Sequence, residues 1–245
     1  MQRAAAAQVF MQKYFLARHV YVCAIGPDVI VLDLRQDKYL AFRREFWDPI
    51  ARLIGGWPMD PNADPHDSLE QADENVLAQL LERGLLTMDG EQGKDASPAA
   101  MQPPLNSFLE DFRSKRPTIR ASHVFVFLYA ILTALVKLRF QSMESIVRSA
   151  RRRRQHPDAM HDLATMRDLT EIFRRLRPLL FSSRDHCLFE SLTLGQFLSH
   201  YKIHPTWVFA VRTTPFIAHC WLQQGETACN DKLDHIRRYT PIMLV

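Results

Sequence analysis

From His19 onward, apolar and polar residues alternate in three short runs: Val20-Tyr21-Val22-Cys23-Ala24-Ile25, Val29-Ile30-Val31-Leu32-Asp33 and Lys38-Tyr39-Leu40-Ala41-Phe42. Gly26-Pro27-Asp28 and Arg35-Gln36-Asp37 separate them, which predicts a three-stranded antiparallel meander. The period then changes. Phe46, Trp47, Ile50, Leu53 and Ile54 fall on one helical face that Gly55-Gly56 ends, and after a polar loop rich in Pro and Asp the helical pattern returns from Asn75 to Leu86, closed at Gly84. Strands followed by helices predict a small winged-helix-like domain over residues 1–87.

Residues 88–106, with Asp89, Gly90, Gly93, Pro98, Pro103 and Pro104, have linker composition. A second domain is expected over 107–245, helical to residue 181 and then mixed, so the whole chain reads as α+β. Its most apolar stretch, Val124 to Val136, lies between His123 and Lys137. A helix of that length rises about 20 Å, short of the roughly 20 residues needed to cross a bilayer, and a buried helix is expected. Arg151-Arg152-Arg153-Arg154 reads as a solvated helix surface or loop, and Arg174, Arg175 and Arg177 form a second basic patch. From Cys187 to Tyr201, Leu188, Leu192, Leu194, Phe197 and Leu198 recur at helical spacing, with Asp185 placed to cap the start. Val208 to Val211 and Phe216 to Leu222 read as strands, and Thr227 to Asn230 returns after a turn at Gln224-Gly225-Glu226.

Composition adds bounds. An apolar share of 47% is that of an ordinary globular protein able to bury a core, and a net charge of +4 neither requires nor forbids an acidic partner. Cys23, Cys187, Cys220 and Cys229 are too few and too unevenly spaced for a disulfide framework, so a reducing cytoplasm is the expected compartment. The N-terminal alanine run is broken by Gln8, Gln12 and Lys13, which makes a poor secretory segment. DNA is not the expected partner of the first domain, because its last helix offers a major groove only Gln79 and Arg83 among acids and leucines. No glycine-rich phosphate loop is present, and no cofactor is expected.

The chemistry concentrates in the C-terminal part of the chain, which supplies a thiol, an imidazole and a carboxylate. A cysteine nucleophile needs a base to hold it as thiolate, and the base needs a partner to orient its ring. Cys187 falls in the first turn of a helix, where the peptide dipoles and free N–H groups favour a thiolate. If the hairpin closes on a three-residue loop centred at Gly225, His219 and Asp231 face each other across it, within carboxylate-to-imidazole reach. Glu226 lies in the turn and Asp234 farther on, so Asp231 is the better orienting acid. Zinc is the competing use of such atoms. His186, Cys187, His219, Cys220, Cys229 and His235 are candidate ligands, but adjacent His-Cys pairs diverge and there is neither Cys-x-x-Cys nor His-x-x-x-His, so no metal is expected.

The pattern Cys187-Leu188, Ser191-Leu192, Leu194, Pro215-Phe216, Ala218-His219, Trp221 and Asn230-Asp231 resembles the B protein of lasso-peptide biosynthesis, a leader peptidase of the transglutaminase-like (papain-like) cysteine protease superfamily. The resemblance covers roughly residues 105–245 and implies Cys187 as nucleophile, His219 as general base and then acid, and Asp231 as orienter. The chain departs from the pattern at Glu190, where many relatives have a basic residue, at Ala210, where they have glycine, and at Gln223, where they have an acid. The first domain resembles the peptide-recognition element of ribosomal-peptide modification enzymes, on its short meander, Tyr39-Leu40 and the run Leu80-Leu81-Glu82-Arg83-Gly84-Leu85-Leu86. That likeness implies that a precursor's leader adds as a strand beside Lys38, Tyr39, Leu40, Ala41 and Phe42 and packs on Val76, Leu77, Leu80 and Leu81. The resemblance to the lasso-peptide B protein also implies a separate ATP-dependent lasso cyclase as partner, which closes a macrolactam on the freed amine.

Overall fold

The computed structural model describes residues 14–51, 53–57, 74–110, 117–154, 163–179 and 187–245. The expected cap Asp185, the ligand candidate His186, the N-terminal alanine run and most of the Pro- and Asp-rich loop lie outside these residues. The chain divides into two compact units, Met1–Asp33 with Lys38–Pro98, and Ala99–Val245 with Leu34–Asp37.

The first unit opens on β1 (Phe15–Ala17) and the meander β2 (Val20–Ile25), β3 (Asp28–Asp33) and β4 (Lys38–Arg43), paired antiparallel in the order β2-β3-β4. Gly26 takes a φ of 55° in the first turn, a conformation open to glycine at no steric cost. α1 (Arg44–Ala51) is shorter than the expected helix, and Ile54 instead bridges Tyr14. α2 (Glu74–Glu82) ends where Gly84 N–H reaches Leu81 O at 2.9 Å and Leu85 N–H reaches Leu80 O at 2.9 Å, with Gly84 at φ 66°. This pair of bonds satisfies carbonyls of the last turn. β5 (Leu86–Thr87) and β6 (Gly93–Lys94) flank β1 in a second three-stranded sheet. The unit therefore consists mostly of strands, whereas a winged-helix-like domain was expected, because Phe15–Ala17 and the segment after α2 assemble a sheet of their own. Its core gathers Leu16, Val20, Val29, Val31, Trp47, Ile50 and Leu80, and the rings of Trp47 and Trp57 lie 5.8 Å apart.

In the second unit β7 (Asn106–Ser107) precedes the helices α3 (Ala121–Phe140), α4 (Met143–Arg154) and α5 (Leu163–Leu176), then a 3₁₀ turn at Arg177–Leu179 and α6 (Cys187–His200). β8 (Thr206–Thr213), β9 (Phe216–Gln224), β10 (Thr227–Ala228), α7 (Leu233–Ile236) and β11 (Thr240–Leu244) complete it. The sheet order is β11-β8-β9-β10-β7, antiparallel except for β10 beside β7. β6 and β7 both arise from the stretch of linker composition, one in each unit.

Alternation along β9 sorts its side chains. Leu222 faces Gly195 of α6, 3.8 Å from where a Cβ would stand on that glycine, whereas Trp221 joins Val208, Ala210, Ala228 and Ile236 in a cluster on the other face. Three aromatic rings, Phe127 of α3, Phe173 of α5 and Phe197 of α6, lie 5.4 and 5.8 Å apart in succession and join the helices. α3 departs from expectation. It is 20 residues long, and only its stripe Val126, Phe127, Ala130 and Ala134 is buried, while Phe125, Leu132 and Phe140 are 72%, 60% and 77% exposed.

The basic run lies on a helix as expected, with Arg152 and Arg154 exposed, but it is not solvated throughout. Arg151 donates to Leu244 O at 3.1 Å, Arg154 to Val245 O at 3.4 Å and Arg153 to Gln196 Oε1 at 2.9 Å, so these arginines tie α4 to the C-terminal strand and to α6. In the second patch Arg174 grips both carboxylate oxygens of Glu171, at 2.6 and 2.7 Å, and Arg175 donates to Pro117 O at 3.0 Å.

Candidate active site

Cys187 is the first residue of α6, whose Leu192, Leu194, Phe197 and Leu198 are buried beneath it. β9 supplies His219 directly opposite Ala210 of β8, and the small side chain there leaves the imidazole ringed by Trp221, Tyr239 and His235, at centroid distances of 6.0, 5.0 and 4.7 Å. Asp231 comes from the segment after β10.

The hairpin closes one residue tighter than expected. Thr227 pairs with Gln224 and Ala228 with Gln223, so Gly225, at φ 54°, and Glu226 form a two-residue turn, and β10 ends before it reaches His219. His219 and Asp231 meet all the same, by another route. Asn230 Oδ1 accepts from Leu222 N–H at 2.8 Å, which folds the segment back across β9, and His219 Nε2 then shares a hydrogen bond with Asp231 Oδ2. Ser107 Oγ donates to Asp231 O at 2.6 Å and fixes the same residue from β7.

With Nε2 engaged by Asp231, Nδ1 is the nitrogen left for Cys187, and a hydrogen bond links the Cys187 and His219 side chains. The thiol of Cys187 is held down to about 4, first by a hydrogen bond from the Cys220 thiol, then, against the opposing effect of burial, by the hydrogen bond and charge of His219. Burial alone would lower His219, but its hydrogen bonds to Asp231 and Cys187 and their charges push it up to about 9. Burial likewise opposes ionisation of Asp231, and the hydrogen bonds of His219 and His235 outweigh it, so its carboxyl lies below the usual range. These shifts describe a thiolate–imidazolium pair at neutral pH, with the imidazolium braced by a carboxylate. Such a pair presents a ready nucleophile and a proton donor for the leaving group.

The structure thus brings Cys187, His219 and Asp231 together. Of the other acids weighed, Glu226 is exposed in the turn and the Asp234 side chain is 88% exposed. Cys23 and Cys229 are buried thiols pushed up by burial, Cys23 to about 12, and neither joins the cluster. Among the described residues the grouping able to hold a metal ion is His219, Asp231 and His235, with ligand atoms within 4.8 Å of one another.

Several contributors were named in the sequence in other roles. His235 Nδ1 lies 2.9 Å from Asp231 Oδ2 and 3.1 Å from Oδ1, so a second imidazole braces the acid, and its four-residue spacing from Asp231 was the available signal. Cys220 is a fully buried thiol raised by that burial, a poised donor to Cys187. Glu190, where many relatives carry a base, pairs with Arg177 at 2.9 Å, and burial still raises its carboxyl more than Arg177 lowers it. Beside it lies a cavity of about 240 Å³ walled by Leu109, Phe173, Leu194 and Asn230, adjoining the cluster. Gln223 is buried: it accepts from Trp221 Nε1 at 3.0 Å and donates to Gln102 O and Gly225 O at 3.0 and 2.7 Å, which makes it a structural bracket.

In the first unit β4 is an outer strand of its sheet among the described residues, with Leu40 and Phe42 half-buried against the core beside Val76, Leu77 and Leu81. Lys38 and Ala41 are exposed and Tyr39 half-buried on the same strand. Leu80 is a core residue, 3% exposed, and offers no side-chain surface to a ligand.

Comparison with curated proteins and with solved structures gives no match. A family model described as the transglutaminase-like superfamily matches residues 128–244, a stretch that contains Cys187, His219 and Asp231. The second unit therefore carries a transglutaminase-like domain, a fold of cysteine proteases and acyltransferases that generally work through cysteine, histidine and aspartate.

Proposed function

We propose that the chain is a cysteine endopeptidase that removes the leader of a ribosomally made lasso-peptide precursor. The observation that carries the reading is the convergence of Cys187, His219 and Asp231 on one thiolate–imidazolium–carboxylate line, with Cys187 at the start of α6. Cys187 Sγ attacks the carbonyl that ends the leader, and the backbone N–H groups at the start of α6 favour the oxyanion that forms. Imidazolium His219 gives its proton to the amine of the core peptide as the C–N bond breaks. Water, deprotonated by His219, then hydrolyses the thioester and frees the leader acid. Asp231 keeps the imidazole oriented throughout.

The first unit is the recognition element in this reading. A leader strand adds to the outer strand β4 through main-chain bonds and rests on the half-buried Leu40, Phe42, Val76, Leu77 and Leu81. Tethering the leader raises the effective concentration of the scissile bond, so modest contacts near Cys187 suffice. The freed amine passes to a separate ATP-dependent cyclase in the cytoplasm, where the thiols remain reduced.

The test is mass spectrometry of the short precursor encoded beside this protein, incubated with wild type and with Cys187→Ala, each with and without the candidate cyclase. Cleavage at one bond by wild type alone supports the reading. Cleavage by both proteins removes Cys187 from the mechanism, and a leader–amine adduct in place of leader acid assigns acyl transfer on the same fold.

A further inference from the structure

α3 combines a firmly packed face with an apolar face that none of the described residues of the unit covers. Its inner stripe is held by the ring contact of Phe127 with Phe173, and Ala130 and Ala134, both fully buried, let the helix lie close to its neighbours. On the outside, Phe125, Leu128, Leu132 and Leu135 follow one another at spacings of three and four, and Tyr129, Val136 and Phe140 widen the stripe. From their exposures this surface amounts to on the order of 800 Å² of mainly apolar area, above the roughly 300–600 Å² of the largest patch on an ordinary monomer.

Charge decides what can cover it. α3 contains no Asp or Glu, and its cations stand at its two ends: Arg120 just before the first turn, Lys137 and Arg139 in the last, with Arg120 and Arg139 exposed. A second copy packed along this stripe sets cation against cation whether the helices run parallel or antiparallel, and no carboxylate of the helix relieves it. A lipid surface with anionic headgroups meets both features, since its acyl boundary takes the Phe and Leu side chains and its phosphates take the arginines. Crossing the bilayer is a different matter, because it would strip Val126, Phe127, Ala130 and Ala134 from the domain core.

We infer that the second unit docks on an anionic lipid surface through the outer stripe of α3, with the helix lying in the plane of the interface. This goes beyond the peptidase reading and does not depend on it.

The experiment is co-sedimentation of the full chain with vesicles of phosphatidylcholine and phosphatidylglycerol in equal parts and with vesicles of phosphatidylcholine alone, accompanied by sedimentation analysis without lipid. Binding to the anionic vesicles is expected, roughly 30-fold weaker to the neutral ones for the two exposed arginines, and weakened by salt. Leu128→Gln with Leu132→Gln should lower it about tenfold or more. An unchanged Cys187 alkylation rate shows that this variant is folded; if the rate changes, Phe125→Ser with Leu135→Ser replaces it. Absence of binding to anionic vesicles, binding that survives the substitutions, or a dimer that the substitutions dissolve in place of vesicle binding each overturns the inference, the last assigning the stripe to a second copy.

Discussion

The ionisation of Cys187 gives the sharpest prediction, and acid pH is where it shows. At pH 5 a thiol at its ordinary value of 9.0 is ionised in about one part in ten thousand, whereas Cys187, held at about 4, is about nine-tenths thiolate. Thiolate nucleophilicity falls with basicity at a Brønsted slope of about 0.4–0.5, so a depression of this size returns roughly two to two and a half powers of ten. Cys187 should therefore alkylate about 30–100 times faster than free glutathione at pH 5, and at about the same rate at pH 7. The assay is iodoacetamide labelling at both pH values with peptide-level mass spectrometry of each cysteine. Cys23, Cys220 and Cys229 are buried and raised, so they should remain unlabelled while the fold is intact. Because the hydrogen bond from Cys220 is the largest favourable influence and His219 the next, Cys220→Ala and His219→Ala should each move the acid limit of the labelling profile upward. A Cys187 rate at pH 5 no greater than that of glutathione, or a profile rising only near pH 9, would refute the thiolate and with it the attack step.

Stability should climb from about pH 4 to 6.5 and level off to about pH 9: Cys187, depressed from 9.0 to about 4, adds stability as pH rises through that window, and His219, raised from 6.5 to about 9, removes it between 6.5 and 9. Thermal melts across this range check it, and a single maximum near pH 8 would contradict the pairing. Asp231→Asn should lower the peptidase rate by roughly three orders of magnitude through misorientation of His219, read as kcat on the precursor with its binding unchanged. Gln223→Leu leaves Trp221 Nε1–H buried without an acceptor and should cost about 2–3 kcal/mol in urea unfolding.

The meander was legible because β2, β3 and β4 alternate and are separated by turn residues, and α6 because its leucines and Phe197 keep helical spacing. Strands β1, β5 and β6 are two or three residues long, too short to show any period, and the sheet they form is set by tertiary pairing alone. α3 failed for a different reason: a helix apolar all round has the same pattern whether its outer face is covered or bare, so exposure could not be read from it. The contact of His219 with Asp231 was anticipated through a ladder register that does not exist. It forms because the Gly225 turn is tight and Asn230 then carries the chain across β9, a side-chain device with no periodic signature.

That device has a consequence for how the site is kept in register. Ser191, one turn after Cys187 and wholly buried, donates Oγ to Cys220 O at 3.1 Å and accepts from Asn230 Nδ2 at 3.0 Å, while Asn230 Oδ1 takes Leu222 N–H. One serine and one asparagine thereby clamp the nucleophile's helix, the histidine's strand and the acid's loop together. Each single truncation leaves a buried polar group without its partner, so Ser191→Ala and Asn230→Ala should each cost about 1–3 kcal/mol. The double variant should cost less than their sum by about 1 kcal/mol, since the bond between the two residues can be lost only once. Stability alone would not separate a clamp of the site from ordinary core bonding. Loosening Asp231 from His219 should also raise the acid limit of Cys187 labelling in Asn230→Ala, because an unbraced imidazole holds its proton less firmly beside the thiolate. Strict additivity in the cycle, together with a wild-type labelling profile in Asn230→Ala, would show that the three elements are held in register by the packing of α6 on β9 and that the clamp is incidental.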